Sequence, residues 1–427
     1  MKGWKGMAAG AAALAVAVAG CGTSSSGSDS GSGDGKTLTV WLMDGSAPAA
    51  LTDALHKEFQ DAHPGVTVKY EVQKWGGIQE KLTTALTSNT PPDVIELGNT
   101  QTAKFAAEET LEDLSGDVSA LGGDQWLAGL KDSLTWDGKS YGMPFYASNR
   151  TVIYRTDLFE AAGITAAPTT RDEWVAAIEK LKAANAADPD FQALYLPGQS
   201  WYALLSFIWD EGGDVAKQDG SAWTGALDTP QAKAGLDFYK KLVDVSGTKA
   251  PKDTDEATPQ QMEVFGTGKV GMMIGLPWEL AGAVKANPDL ASKTAAFPIP
   301  SKTAGKTAPV FLGGSNLAIP AGSQNTDLAK DYLKLLSSKK YQDMLAEGGS
   351  VPGTSTDTAK LATNPVGKAL AESAPNGKVT PTTPTWAAVE AGQNPLKDML
   401  TAYLTGAKSL DQATGDANAA LTKTLAG

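Results

Sequence analysis

Between Thr37 and Leu97 three short runs of β-forming residues alternate with two helical stripes, and few folds accept that order. The first run is Thr37-Leu-Thr-Val-Trp-Leu-Met43, closed by the polar turn Asp44-Gly-Ser-Ala-Pro48. Leu51, Leu55 and Phe59 then recur at i, i+4 and i+8, one buried helical face that ends at Pro64-Gly65. Val66, Val68, Tyr70 and Val72 alternate as a second strand, and Lys74-Trp-Gly-Gly77 breaks it. Ile78, Leu82 and Leu86 mark a second helix, and Asp93 to Leu97 after Pro91-Pro92 a third strand. The pattern predicts βαβ units on a parallel sheet, hence an α/β fold. Ligands of such sheets sit beyond the carboxyl ends of the strands. That rule points to the loops 44–46, 73–76 and 99–101.

Upstream lies a leader with Lys2 and Lys5, an apolar stretch from Met7 to Ala19, and then Gly20-Cys21. Its apolar part is too short for a spanning helix, so residues 1–20 are expected to be a secretory signal peptide. Val18-Ala-Gly-Cys21 looks like a bacterial lipobox, in which the cysteine carries a diacylglycerol and becomes the new N-terminus. Residues 21–35 hold no large apolar side chain after Cys21 and read as a flexible tether of roughly 20 Å reach. The folded part is expected to begin near Lys36, and its length suits two lobes better than one small core.

Cys21 is the only cysteine, so the exported part has no disulfide and must rely on packing. The chain carries a net charge of −12, and the loss of Lys2 and Lys5 takes it to −14. Three arginines (Arg150, Arg155, Arg171) and this acidity argue against nucleic acid and against electrostatic adhesion to anionic lipid. Further along, Thr170-Arg-Asp-Glu173 is a capping box that opens a helix over Trp174–Asn185, and Thr229-Pro230 opens one over Gln231–Val243. Asp327–Leu336 and the region Ala387–Thr405 also read as helical. No internal repeat is evident.

The order of these blocks resembles the extracellular solute-binding proteins of bacterial ABC importers, in particular the large carbohydrate-binding group. The most specific segment is Phe265-Gly-Thr-Gly-Lys-Val-Gly-Met-Met-Ile-Gly-Leu-Pro-Trp278, which is similar to the family signature F-x-x-G-K-x-A-M-x-x-x-G-x-W with Gly271 in place of Ala. Leu38-Thr-Val-Trp41, Pro92-Asp-Val-Ile95 and Asn325 to Leu333 fit as well. WLMDGSAP, QKWGGIQEKLTTAL, YLPGQSWYALLSFIWDEGGD and FLGGSNLAIP look most like actinobacterial lipoproteins that bind chitobiose and related N-acetylglucosamine oligosaccharides. The resemblance implies a class II periplasmic-binding-protein-like fold of two α/β lobes with a ligand cleft between them. It places one lobe at 36–147 plus 314–353 and the other at 148–313 plus 354–427. The chain would cross near Ala147–Arg150, Phe311–Ser315 and Val351–Thr356. The implied partners are an oligosaccharide and the transmembrane subunits of a permease. Contact with the membrane would run through the lipid anchor alone, on its extracytoplasmic face, and the protein would act as a monomer without cofactor or metal.

A sugar ring offers C–H groups on its faces and hydroxyls round its edge, so its site needs flat aromatic surfaces and fixed polar groups. Trp278 follows Gly275-Leu-Pro277 at an expected strand end, where the family places a stacking ring, and its neighbour Glu279 could accept hydroxyl hydrogens. Trp386 in Pro384-Thr-Trp occupies a second stacking position, and Trp201 or Tyr202 a third. Trp75, flanked by Gly76-Gly77, either meets the ligand or packs on the following helix. Trp41, Trp126, Trp136, Trp174 and Trp209 are expected to be structural. Polar candidates are Asp44, Ser46, Asn99, Thr100 and Gln101 in the strand-end loops, and Tyr146, Asn149, Gly314 and Ser315 at the crossings. The family often has a carboxylate where Asn99 stands, and an amide there suits an uncharged acetamido or hydroxyl group.

Enzyme chemistry finds little purchase. Adjacent Asp210 and Glu211 diverge by about 100° on a helix and cannot flank one bond. His56 and His63 have no further metal ligands at suitable spacing. No Gly-x-Ser-x-Gly elbow or phosphate loop is present. The expectation is a receptor for a chitobiose-like sugar. A cello- or malto-type ligand, a surface glycoside hydrolase or an adhesin remain as alternatives.

Overall fold

The computed structural model describes residues 35–354, 360–362 and 365–427. Cys21, the leader and the tether up to residue 34 lie outside the described residues, as do residues 355–356 of the third expected crossing.

The first 60 described residues fold as the alternation requires. Strand β1 (Lys36–Met43) leads to helix α1 (Ala49–Ala62), strand β2 (Val66–Gln73), helix α2 (Ile78–Leu86) and strand β3 (Val94–Gly98). Leu51, Leu55 and Phe59 of α1 are buried, as are Ile78, Leu82 and Leu86 of α2. β1 runs parallel to β2 on one side and to β3 on the other. The sheet then continues antiparallel through Gly313–Ala318, Met143–Ser148 and Val351–Pro352, six strands in all. Its core is filled by Leu38, Val40, Leu42, Phe145 and Leu317, with Tyr332 from the helix Thr326–Leu336.

Two expectations change here. The alternation in β2 does mark a strand, but that strand is the sheet's edge, and Tyr70 and Val72 stand exposed. Trp41 is half-buried rather than enclosed, with the Lys81 ammonium over its ring at 4.9 Å.

A second, three-stranded antiparallel sheet joins Met272–Gly275, Thr151–Arg155 and Thr294–Phe297. The helices Arg171–Ala184, Trp201–Asp210 and Pro230–Ser246 share its core, where Trp174, Phe207 and Tyr239 are fully buried. Burying each such side chain is worth about 1.5–3 kcal/mol, which is how a chain without disulfides holds together. The capping box at Thr170 and Glu173 forms, and Thr229 caps the helix that Pro230 opens. The region expected as one helix after Pro384 is two, Trp386–Ala391 and Pro395–Leu404. Pro395 has no N–H with which to continue the first helix, and Asn394 caps the second through the Leu396 N–H.

The chain leaves the six-stranded sheet after Ser148 and enters the three-stranded one at Thr151. It returns at Gly313. There Gly314 has φ +146, and a Cβ on it would sit 2.1 Å from the Tyr146 carbonyl oxygen, so only glycine fits. A smaller apolar cluster that includes Leu127, Ala147, Leu312, Val351 and Leu370 fills the space around these passages. All of these elements belong to one unit, Lys36–Gly427.

Candidate functional site

The carboxyl ends of β1 and β3 meet over a buried carboxylate that the sequence reading did not single out. Glu96 is fully buried and accepts hydrogen bonds from the Met43 backbone N–H at 2.7 Å and the Ser46 hydroxyl at 2.6 Å. Ser315 neighbours the same carboxylate, but its buried hydroxyl has no hydrogen-bond partner among the described residues. Burial pushes the Glu96 carboxyl up to about 6, with these hydrogen bonds pulling the other way. Ser46 Oγ also lies 3.4 Å from the Tyr146 hydroxyl, which burial and the nearby Glu96 charge hold at about 12. Ser46 is itself buried and spends its proton on Glu96, which leaves its lone pairs to the Tyr146 hydroxyl, and Tyr146 keeps its proton to donate. One carboxylate orients two hydroxyls, Ser46 directly and Tyr146 through it. A charge inside the otherwise apolar strand Val94-Ile-Glu-Leu-Gly98 was the signal available in the sequence.

The neighbouring loops add an exposed carboxylate and an exposed ring. Asp44 is exposed, with its backbone N–H bonded to the Gln73 carbonyl. Trp75 is 41% exposed and lies over the end of β3, where a Cβ on Gly98 would stand 3.7 Å from the indole. Asn99 departs from expectation. It is buried, and its side-chain amide donates to the Leu312 carbonyl at 2.7 Å while its backbone N–H donates to Gly314. It ties β3 to the returning chain rather than facing open space. Thr100 is half-buried, and its hydroxyl donates to Glu390 at 2.7 Å.

An aromatic wall stands beside the second core. Trp201 and Tyr202 stack with centroids 3.8 Å apart, and Tyr202 also stacks on Phe311 at 4.6 Å and 11°. The Arg150 guanidinium sits 4.8 Å from the Tyr202 ring and pairs with Glu256. With those neighbours Tyr202, the half-buried member of the pair, has its ring faces covered, and Trp201 is buried. Trp386, expected as an open stacking ring, is fully buried beside Trp201, with centroids 6.4 Å apart, and its indole N–H donates to Glu390 at 2.9 Å. Trp278 is the exposed ring, 54% accessible, just past the strand that ends at Gly275, in the first turn of the helix Pro277–Ala286. The turn that Pro277 opens explains its exposure.

Glu279 is likewise withdrawn from solvent. One oxygen accepts the Leu276 N–H at 2.8 Å, the other the Gln261 amide at 2.7 Å, and burial raises its carboxyl to about 7. It caps the helix beneath Trp278. Asn149, at the first crossing, is fully buried with neither side-chain polar atom hydrogen-bonded, and Ser315 is buried beside Tyr146. A buried amide without partners is costly unless something else pairs with it.

The carboxylates set aside as catalytic candidates have other occupations. Asp210 pairs with Arg171 at 2.7 Å and accepts from Ser301, and Glu211 pairs with Arg171 and Lys302. His56 bonds the Tyr332 hydroxyl. Among the described residues no group of His, Cys, Asp and Glu is placed to hold a metal, and no helix is long and apolar enough to cross a membrane.

Comparison with known proteins bears on this geometry directly. The sequence profile described as bacterial extracellular solute-binding protein matches residues 44–343. The diacetylchitobiose binding protein DasA of Streptomyces coelicolor is 44% identical over 379 residues, 88% of this chain and 87% of the relative. The mannitol-binding protein of Pseudomonas aeruginosa is 27% identical over 84% of the chain and 86% of its own length. Among solved structures, the GacH receptor of Streptomyces glaucescens, studied with acarbose, superposes with a TM-score of 0.76 at 26% identity, covering 92% of this chain and 98% of that one. The sugar-binding protein MalE of Xanthomonas citri reaches 0.80 at 23% identity, with the same coverage of each chain. The fold is therefore the two-lobe α/β fold of maltose-type binding proteins.

Proposed function

Because the chain belongs to the family of bacterial extracellular solute-binding proteins, we propose that it captures N,N′-diacetylchitobiose or a close relative between its lobes and delivers it to the membrane subunits of an ABC importer. The observation that carries this reading is the 44% identity to a diacetylchitobiose binding protein along most of both chains. The geometry supports it. Trp278 and Trp75 present exposed rings suited to sugar faces, and exposed Asp44 with half-buried Tyr146 and Thr100 supplies the edge-on polar groups that hydroxyl and acetamido substituents need, with buried Ser46 holding Tyr146 from behind.

In this reading one lobe comprises residues 36–147 and 314–353, the other 148–313 and 354–427. Asn149, Gly314 and Ser315 lie at the passages between them, and the unpaired Asn149 amide is available to a ligand or a bound water. Trp201, Tyr202, Trp386 and Glu279 hold the second lobe's wall in place. Ligand bridging the lobes stabilises the closed arrangement through contacts the open one lacks, and closure sets both lobe surfaces for the permease. The protein does no chemistry on its ligand, stands as a monomer, and is held to the extracytoplasmic face of the membrane by a lipid on Cys21.

The likeness to the GacH receptor favours a second reading, an α-linked glucose-type oligosaccharide. Isothermal titration of the chain from Lys36 onward with chitobiose, N-acetylglucosamine, cellobiose and maltose separates the two. Micromolar or tighter binding of chitobiose alone is expected. Tight binding of maltose in its place would move the ligand, and silence with all four would end the oligosaccharide reading.

A further inference from the structure

Glu390 was not among the sequence-predicted residues, yet two donors from distant parts of the chain converge on it. Its Oε2 accepts the Thr100 hydroxyl at 2.7 Å and its Oε1 accepts the Trp386 indole N–H at 2.9 Å. The Tyr202 side chain neighbours the same carboxylate. Trp386 precedes Glu390 by one turn of the same helix, and both Trp386 and Tyr202 pack with the core of the three-stranded sheet. Thr100 does not. It sits in the turn after β3, at the end of the six-stranded sheet, 290 residues away in sequence.

We propose that Glu390 is a positioning residue that couples approach of the two lobes to the setting of the aromatic wall. An ionised carboxylate accepts only, at about four lone-pair sites, so it can take both donors at once. With Thr100 in place each oxygen is held by a donor, and the indole edge of Trp386 is fixed by a carboxylate that cannot turn. When the lobes part, the Thr100 bond is lost and Oε2 is left to water. The carboxylate then keeps its own lobe's donor without the second constraint. Lobe closure and the ordering of Trp386, and of the rings packed with it, thus share one hydrogen-bond acceptor. The inference rests on the ligand reading only in taking the cleft for the binding site.

The test uses the chain from Lys36 onward, which contains every described element and no cysteine. Thr100→Val keeps the shape of the side chain and removes the donor, and Thr100→Ser keeps the donor. Chitobiose affinity should fall roughly tenfold in Thr100→Val and stay within about twofold in Thr100→Ser, since hydrogen bonds to charged groups are the stronger class. In a Glu390→Gln background Thr100→Val should cost no more than about twofold, because the bond it removes is already altered. Without ligand, spin labels on Lys69→Cys and Lys217→Cys, one exposed site on each lobe, should report a wider distance distribution in Thr100→Val than in Thr100→Ser. Equal distances and equal affinities in the two Thr100 variants overturn the coupling. So does a full tenfold loss from Thr100→Val in the Glu390→Gln background. Should no sugar bind even the unmutated chain while the distances still separate the two variants, the coupling stands and the ligand assignment falls.

Discussion

The two sides of the candidate site are built on opposite principles. On the six-stranded sheet Glu96 sets the directions of Ser46 and the Met43 N–H, and Tyr146 joins through Ser46. Beside the second core the rings of Trp201, Tyr202, Phe311 and Trp386 are held mainly by one another. Hydrogen bonds fix angles, and packed rings fix area. A ligand with hydroxyls round its rim and apolar faces needs both, and if the two sides belong to the two lobes as proposed, neither lobe alone makes a complete site.

If the wall is truly a packed structure, its buried and exposed rings must fail differently. Trp386→Ala should lower the free energy of unfolding by about 3–5 kcal/mol, the usual cost of emptying a buried aromatic site. Chemical denaturation would measure it, and a change under about 1 kcal/mol would place Trp386 outside the core. Trp278→Ala, at a ring 54% exposed, should leave the unfolding midpoint in place and weaken chitobiose binding by about 2 kcal/mol, roughly thirtyfold. Loss of stability there would erase the distinction between the two rings.

The polar side makes a subtler demand. The Glu96 carboxyl is raised from 4.5 to about 6 in the folded protein, so the native state binds its proton more tightly than the unfolded chain does. Its contribution is therefore fully present below pH 4.5 and lost as pH rises through about 6, a change of about 2 kcal/mol. Glu96→Gln lacks this titration. The difference in unfolding free energy between the native sequence and Glu96→Gln should shift by that amount across the window, with the native sequence losing ground as pH rises. A flat difference would mean that Glu96 has its ordinary affinity for protons.

Local order was the legible part of the sequence. The stripes Leu51-Leu55-Phe59 and Ile78-Leu82-Leu86, the capping box at Thr170 and the Thr229-Pro230 helix start all form, because each is decided within one or two turns of chain. The exposed ring of Trp278 was legible too, at the place where the strand ending at Gly275 gives way to a helix that Pro277 opens. The burial of Asn99 and Trp386 was not. Their partners Leu312 and Glu390 are fixed by how distant segments meet, and Thr100 reaches Glu390 across 290 residues. Glu279 was read as a ligand acceptor because it adjoins Trp278, but the same turn that turns the ring outward folds its carboxylate back to cap the helix. The alternation of β2 could show a strand but not its place at the margin of the sheet, where one side has no neighbouring strand.

That margin has a cost of its own. β2 runs eight residues with one row of backbone donors and acceptors unpaired by any strand among the described residues, and with Tyr70 and Val72 in solvent. Such an edge invites a second chain to add itself as another strand. Lys69 and Glu71 stand between and beside those apolar residues, paired to each other at 2.7 Å, and an incoming strand would have to strip water from both charges before its hydrogen bonds could form. An edge guarded in this way lets many copies crowd together without polymerising.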